Sequence, residues 1–389
     1  MAEAKIAQAR EVLLRSIEAI PADVTAVLLS GGLDTSIIVD AVPGHRFTDA
    51  ITVSCGSGVG AEHDLGYATT IAQAHGLRHH VVAVANPMDL MSPDPEGALA
   101  LTIRILQTFD PMDLRGGVAI TRALQQAKML GITAIVTGDA ADELFAGYSF
   151  LTSQPAEKLR AWIERAAAHM KFCGSAIGEA LGIVVHQPFM HPDVIAFALT
   201  CSKDDLVGPD PVDASVTHGK VILRHAFPEA HSCWRPKVPL ETGSGTTPLA
   251  ALFKETTDPS VFEVEKRAVF AEDGIVIRDP EHLHYYRIFK RIFASTTSDD
   301  VRTPQIAAAQ LGKVETRKPL PAFVLRVNEV IAYYTQREPD ITYEGALVVS
   351  QHPVIQTTKA KDELGYQQLA LPESITKSID WLRSTNQLP

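Results

Sequence analysis

The chain has 389 residues, enough for two or three domains, and its 46% hydrophobic and 21% charged residues are the balance of an ordinary globular protein. The 46 acidic against 35 basic residues give a formal charge of −11 with no Lys/Arg-rich stretch, which argues against nucleic acid as a partner. Cys55, Cys173, Cys201 and Cys233 form no C-x-x-C pair, so neither a disulfide framework nor a zinc site is expected; charged first turns and the lack of a long apolar run point to a cytoplasmic chain without a membrane span.

Apolar residues at Ile6, Leu13, Ile17 and Ile20, stopped by Pro21, predict an amphipathic helix over 3–20. Val24 to Leu29 is apolar on every side, as in a parallel strand buried on both faces. Strands at Ile51–Val53, Val81–Val84 and Ile132–Thr137 alternate with helices at Glu62–His75 and Val118–Leu130. Repeated strand–helix–strand units imply an α/β fold with a doubly wound parallel sheet. Beyond Gly147 the segments become mostly helical, with helices at 154–172 and 192–200, and Thr242–Pro248 reads as a loop. The expected division is residues 1–299, with a sheet core at about 20–150 and a helical part at 151–299, followed by a small appendage at 300–389.

Three motifs carry chemistry. Ser30-Gly31-Gly32-Leu33-Asp34-Thr35-Ser36 follows the first strand: the glycines let backbone N–H groups approach an anion, the next helix aims its positive end there, and Ser30, Thr35 and Ser36 add hydroxyls. Asp34 beside a phosphate calls for a divalent cation between them, so the loop predicts a nucleotide with Mg²⁺; a plain Gly-Gly turn is the competing reading. Gly138-Asp139-Ala140-Ala141-Asp142-Glu143-Leu144-Phe145-Ala146-Gly147-Tyr148 also follows a strand end, so it can face the first loop. Its crowded carboxylates imply a metal or a cationic group, or else a solvated helix start. Downstream, Lys220, Arg224, Arg235 and Lys237 are clustered cations suited to a triphosphate. For Lys220 and Arg224, the i, i+4 spacing serves an exposed helix face equally well.

Together with Gln187-Pro188-Phe189, these motifs resemble, over about residues 10–294, the synthetase domain of asparagine synthetases and their β-lactam-forming relatives. The resemblance implies the pyrophosphate-loop variety of the α/β fold, ATP and Mg²⁺ as cofactors, and an AMP-forming reaction. In it a carboxylate, aspartate's side chain in the parent family, is adenylated and then amidated by ammonia. By position, Ser30, Gly31, Gly32, Asp34, Thr35 and Ser36, with Lys220, Arg224 and Arg235, would bind ATP pyrophosphate. Asp34 and Asp142 would share Mg²⁺, Lys237 would neutralise charge on the α-phosphate, and Asp139 would sit near the incoming amine.

Departures from the family pattern qualify this. Thr35 replaces the usual serine, Ala140 a common glycine, and Asp139 a residue that is often Glu, or Tyr in the lactam-forming branch. Val184 and His186 stand where bacterial members carry Glu and Arg, which leaves the acyl substrate open; amidation of another carboxylic acid and a catalytically lapsed nucleotide-binding scaffold are the alternatives. Residue 2 is Ala where the family's glutaminase domains expose Cys, so ammonia is expected to come free or from a separate glutaminase subunit. Residues 300–389, with Lys359–Tyr366 and Trp381-Leu382, resemble instead the carboxyl-terminal segment of extended short-chain dehydrogenases/epimerases, a fused appendage for docking or assembly. Tyr286 and Lys290 have a Tyr-x-x-x-Lys spacing, but core packing is the better reading.

Overall fold

The structure is a computed structural model that describes residues 3–42, 46–56, 64–238, 240–246 and 249–294. The appendage expected at 300–389, together with Glu62, Thr247 and Pro248, lies outside the described residues.

Helix α1 (Glu3–Glu18) turns Ala9, Val12, Leu13 and Ile17 inward, the stripe its apolar spacing predicts. Strand β1 (Ala26–Leu28), helix α2 (Leu33–Asp40), β2 (Asp49–Cys55), α3 (Asp64–Ala74) and β3 (Arg78–Val84) follow. After helices at Ala98–Leu106 and Pro111–Met129 come β4 (Ala134–Val136), helices at Ala156–His169 and Cys173–Leu181, and β5 (Val184–His186).

The five strands pair in parallel in the order β3-β2-β1-β4-β5. Successive β1 side chains enter opposite layers: Val27 joins Leu13 and Ile37 on one face, whereas Ala26 joins Leu124 and Ile135 on the other. Covering both faces is what makes the sheet doubly wound, as its apolar strands require. Each fully buried Leu or Ile contributes about 1.5–3 kcal/mol, so the two layers dominate the stability of this region. From β1 the chain builds outward to β3 and then returns to add β4 and β5 on the other side. The winding direction therefore reverses between β1 and β4, where ligands of such sheets bind beyond the strands' carboxyl ends.

The helix Pro111–Met129 begins well before the expected Val118. Asp110 caps it, accepting from Met112 N at 2.8 Å, and Pro111 needs no helical N–H partner at the first turn. Gly117 lies inside it where helix Ala98–Leu106 approaches closely: a Cβ on Gly117 would lie 3.0 Å from Thr102 Cγ2.

A further apolar cluster joins Leu99 and Leu114 to Tyr285, Phe289 and Phe293 of the helix Pro280–Ala294. Tyr286 and Lys290 of that helix both donate to Asp273 Oδ2, at 2.6 and 2.7 Å, in agreement with a packing role. All four cysteines are free, and no helix among the described residues is long and apolar enough to cross a membrane.

Candidate active site

The Ser30–Ser36 loop leaves β1 at the switch point. Gly31 has φ +73°, and a Cβ there would lie 2.6 Å from both Ala68 N and Asp64 O, so glycine is required for conformation and for space. Its carbonyl is held from behind by Ser232 Oγ at 2.7 Å and Arg235 Nη1 at 2.8 Å. The other end of the Arg235 guanidinium donates to Asp64 Oδ1 at 2.7 Å, and its plane lies over Tyr67. Arg235 thus fixes the loop's curvature while also lining the cavity beside it. Arg224 is comparable: buried under Trp234, it donates to the carbonyls of Gly219 at 3.0 Å and Arg235 at 3.2 Å, and to that of Cys233.

The acidic motif follows β4 and meets this loop. A Cβ on Gly138 would lie 2.9 Å from Asp34 Cβ, so the two strand ends are in direct contact. Ala140, a buried residue at φ +79°, adopts the left-handed conformation in which a glycine would be unstrained. Ala146 and Lys220 share that region, at φ 56° and 58°, and strained backbone gathers at functional sites. The turn at Gly219 packs on the acidic motif so closely that a Cβ there would come 1.8 Å from Ala146 O, and Lys220 N donates to Phe145 O at 2.8 Å. This contact carries the Lys220 side chain into the centre of the site.

Four charges converge there. Lys220 Nζ lies 2.7 Å from both carboxylate oxygens of Asp34 and 2.7 Å from Asp142 Oδ1, and Lys237 Nζ lies 2.7 Å from Asp142 Oδ2. Gly147 makes room: a Cβ there would lie 1.9 Å from Asp142 Oδ1 and 2.3 Å from Lys220 Cε. The Lys220 contact to Asp142 Oδ1 is off the hydrogen-bonding direction, so this buried oxygen has an ion pair but no aligned donor. Asp34 and Asp142 therefore point hard oxygen ligands at one place, with one oxygen incompletely satisfied, a donor set that fits Mg²⁺.

Burial raises the Asp34 carboxyl against the pull of Lys220, and the Asp142 charge raises it further. Burial also pushes Asp142 up, but Lys220 and Lys237 together outweigh it and hold the group at about 2, below its ordinary 3.8. Both lysines act on Asp34 as well, but Asp142 is in direct contact with two ammoniums and Asp34 with one, which makes Asp142 the stronger acid of the pair. Since its folded value lies below the unfolded one, Asp142 contributes stability that is full above about pH 4 and is lost as the pH falls toward about 2. Asp142→Asn should thus destabilise the protein by about 2 kcal/mol at neutral pH, with the difference shrinking in urea melts below about pH 4. A gap independent of pH would contradict the pairing. For Lys237, burial disfavours the charge, but Asp142 and Asp34 more than compensate and keep it an ammonium.

Other expected residues take different places. Thr35 Oγ1 lies 3.3 Å from Ser30 Oγ within the loop. The Ser36 hydroxyl is fully buried, donates to Asp40 Oδ2 at 2.6 Å and accepts from Ser232 N at 3.1 Å, so it braces the loop from behind. Asp139 stands apart from the lysines: its Oδ2 accepts from Thr137 Oγ1 and from Gln187 Nε2, both at 2.7 Å, and burial raises its carboxyl. Gln187, Asp64 and Tyr148 were not singled out as site residues from the sequence. Tyr148 donates to Glu143 Oε1 at 2.5 Å and places its ring 6.0 Å from Lys237 Nζ. Gln187 and Asp64 act through contacts with distant segments, Asp139 and Arg235, that no local pattern announces. His186 contributes its backbone carbonyl to Thr137 N at 2.9 Å.

Ser30, Asp34, Asp64, Lys220, Arg235 and Lys237 border one cleft. A second hollow, lined by Leu28, Ile51, Val53 and Ala119, shares Ser30 and Asp64 with it.

Fold and site together define an α/β protein of the pyrophosphate-loop class, with paired carboxylates and lysines at the switch point of its sheet. Residues 8–172 match the asparagine synthase family model. The chain is similar to the glutamine-hydrolyzing asparagine synthetase 3 of Arabidopsis thaliana, 25% identical over 54% of this chain and 37% of the relative. It is also similar to a probable glutamine-hydrolyzing asparagine synthetase of Schizosaccharomyces pombe, 26% identical over 71% of this chain and 53% of the relative. A Zea mays asparagine synthetase is 23% identical over 74% of this chain and 51% of its own length. The chain thus spans between about a third and a half of the curated relatives it matches.

Proposed function

We propose that the protein is an ATP-dependent amide ligase that forms AMP and pyrophosphate, adenylating a carboxylate, the aspartate side chain first among candidates, and passing it to ammonia. The carrying observation is the convergence of Asp34 and Asp142, from two strand ends, on Lys220 and Lys237 beside a glycine-built anion loop. The family domain and the relatives' names support the same reading.

In this reading the backbone of Ser30–Gly32 and the start of α2 receive the pyrophosphate, and the apolar hollow beside Ser30 takes the adenine. Asp34 and Asp142 would hold Mg²⁺, which supplies positive charge against the pyrophosphate oxygens. A substrate carboxylate oxygen bonds to the α-phosphorus while the bond from that phosphorus to the pyrophosphate oxygen breaks. Lys237, kept protonated by its two acidic neighbours, offsets the charge that grows on the α-phosphoryl oxygens. Ammonia then bonds to the acyl carbon, AMP leaves with the electron pair of the single bond between the acyl carbon and its phosphate oxygen, and the surplus proton passes to a base. Asp139, its carboxyl raised by burial and oriented by Thr137 and Gln187, suits that role.

Pyrophosphate release from ATP with Mg²⁺, measured over a panel of carboxylic acids with ammonia or glutamine as donor, tests the reading. Release that depends on L-aspartate, with asparagine and AMP in equal amounts, is the expected result. Release with a different acid would keep the adenylation and change the substrate, an outcome that Val184 and His186 leave room for. No release with any acid would refute the proposal.

A further inference from the structure

On the opposite side of α2 from the anion cleft, three side chains from separate segments meet. Asp40 ends α2, His75 follows α3, and His231 lies in the segment leading to Lys237. Asp40 Oδ1 is 2.5 Å from His75 Nε2 and 2.8 Å from His231 Nδ1, and the three ligand atoms lie within 4.8 Å of one another. The Asp40 side chain is 3% exposed, whereas His75 and His231 are 26% and 36% exposed, so the cluster has a buried anchor and an open side. The second carboxylate oxygen is held by Ser36 Oγ at 2.6 Å and His231 N at 2.8 Å, which orients Oδ1 toward the imidazoles.

The geometry points to a divalent transition-metal site of the Zn²⁺ type, with Asp40 Oδ1, His75 Nε2 and His231 Nδ1 as ligands and water at the open position. Two imidazoles with one carboxylate form a donor set that suits zinc-like ions rather than Mg²⁺ or Ca²⁺. Ligands at roughly 2.1 Å from a tetrahedral ion stand about 3.4 Å apart, so the two hydrogen-bonded separations need to open by less than about 1 Å. His231, the more exposed of the two imidazoles, is on the accessible side. Ser36 and the His231 amide then act as the outer hydrogen bonds that fix a ligating carboxylate.

The site has a structural consequence independent of the proposed reaction. Ser232 donates through its backbone to Ser36 Oγ and through its hydroxyl to Gly31 O, and Arg235 also grips Gly31 O. An ion on Asp40, His75 and His231 would clamp the segment at 231–237 to α2 and, through those bonds, to the back of the anion loop.

The test uses the full chain stripped with a chelator and titrated calorimetrically with Zn²⁺. One equivalent should bind and raise the melting temperature. His75→Gln and His231→Gln should each weaken binding by about 100-fold or more relative to the wild type. Equal Zn²⁺ affinity in the wild type and the double variant, or no uptake by the wild type, would overturn the assignment. If a variant does not fold, Cu²⁺ at less than one equivalent on the unmodified chain decides: its electron paramagnetic resonance should carry hyperfine coupling from two imidazole nitrogens, and a signal with fewer would reject the site. None of these readouts involves ATP, so they stand or fall apart from the ligase reading.

Discussion

Lys237→Ala is expected to lower the rate of ATP-dependent pyrophosphate release by about 10²- to 10³-fold while changing the apparent ATP affinity only a few-fold. Lys237 is the more exposed lysine of the cluster, 30% against 4% for Lys220, and its ion pair is with Asp142. Removing it leaves Asp142 still paired with Lys220, so the fold should tolerate the change. What disappears is a fixed positive charge at the mouth of the cavity, where charge grows only as the α-phosphorus is attacked. Arginine should restore little, because its planar fork cannot act as the compact point charge that the ammonium provides. Pyrophosphate release and a thermal melt of the same preparations separate the two effects. A Lys237→Ala protein within about threefold of wild-type turnover would remove this lysine from the chemistry.

The contrast between the two lysines marks how far the sequence could be read. β1 and β4 were legible because parallel strands buried on both faces are apolar throughout. β2 and β3 extend further than expected because polar residues occupy their early positions: Asp49 pairs across the strands with Arg78 at 2.6 Å and His80 at 2.8 Å, so those ends do not look like strand. β5 is three residues long, too short for any period to register. The helix at Pro111 carried a readable cap and proline, but Gly116 and Gly117 interrupted its apolar pattern, Gly117 where a neighbouring helix approaches.

At the site, local patterns located the loop, the acidic motif and the downstream cations, each by its residue types. Only the fold reveals how those cations divide. Arg224 and Arg235 are buried against backbone carbonyls, whereas Lys220, which the spacing alone allowed on an exposed helix face, is the most central charge of all. Its place depends on Gly219 lying against Ala146, a contact between segments far apart in the chain. Ser36 followed the same rule in reverse: a loop hydroxyl by position, it faces Asp40 because α2 turns it away from the cleft.

Lys220→Met should therefore show the largest loss of stability, about 3–5 kcal/mol in denaturant titrations at neutral pH. Methionine fills nearly the same volume, so the cavity term is small and the effect is electrostatic. Two buried carboxylates that now share one ammonium would face each other, with only Lys237 left on Asp142. Without Lys220, burial and mutual repulsion raise both folded-state carboxyls relative to their values in the wild type. Folded-state values above the unfolded ones cost stability at neutral pH and stop doing so as the pH falls and the groups protonate. In the wild type Asp34 is already raised and behaves likewise, but Asp142 moves the other way, its contribution being lost as the pH approaches about 2. The gap between the two proteins should consequently close from both sides in acid. Millimolar Mg²⁺ should also narrow it at neutral pH, more than Na⁺ at equal ionic strength, because carboxylates that in the wild type divide between Lys220 and the ion hold a divalent ion more tightly once the ammonium is gone. A loss below about 1 kcal/mol, or one that neither acid nor Mg²⁺ reduces, would mean that these carboxylates do not depend on Lys220 for their place in the fold.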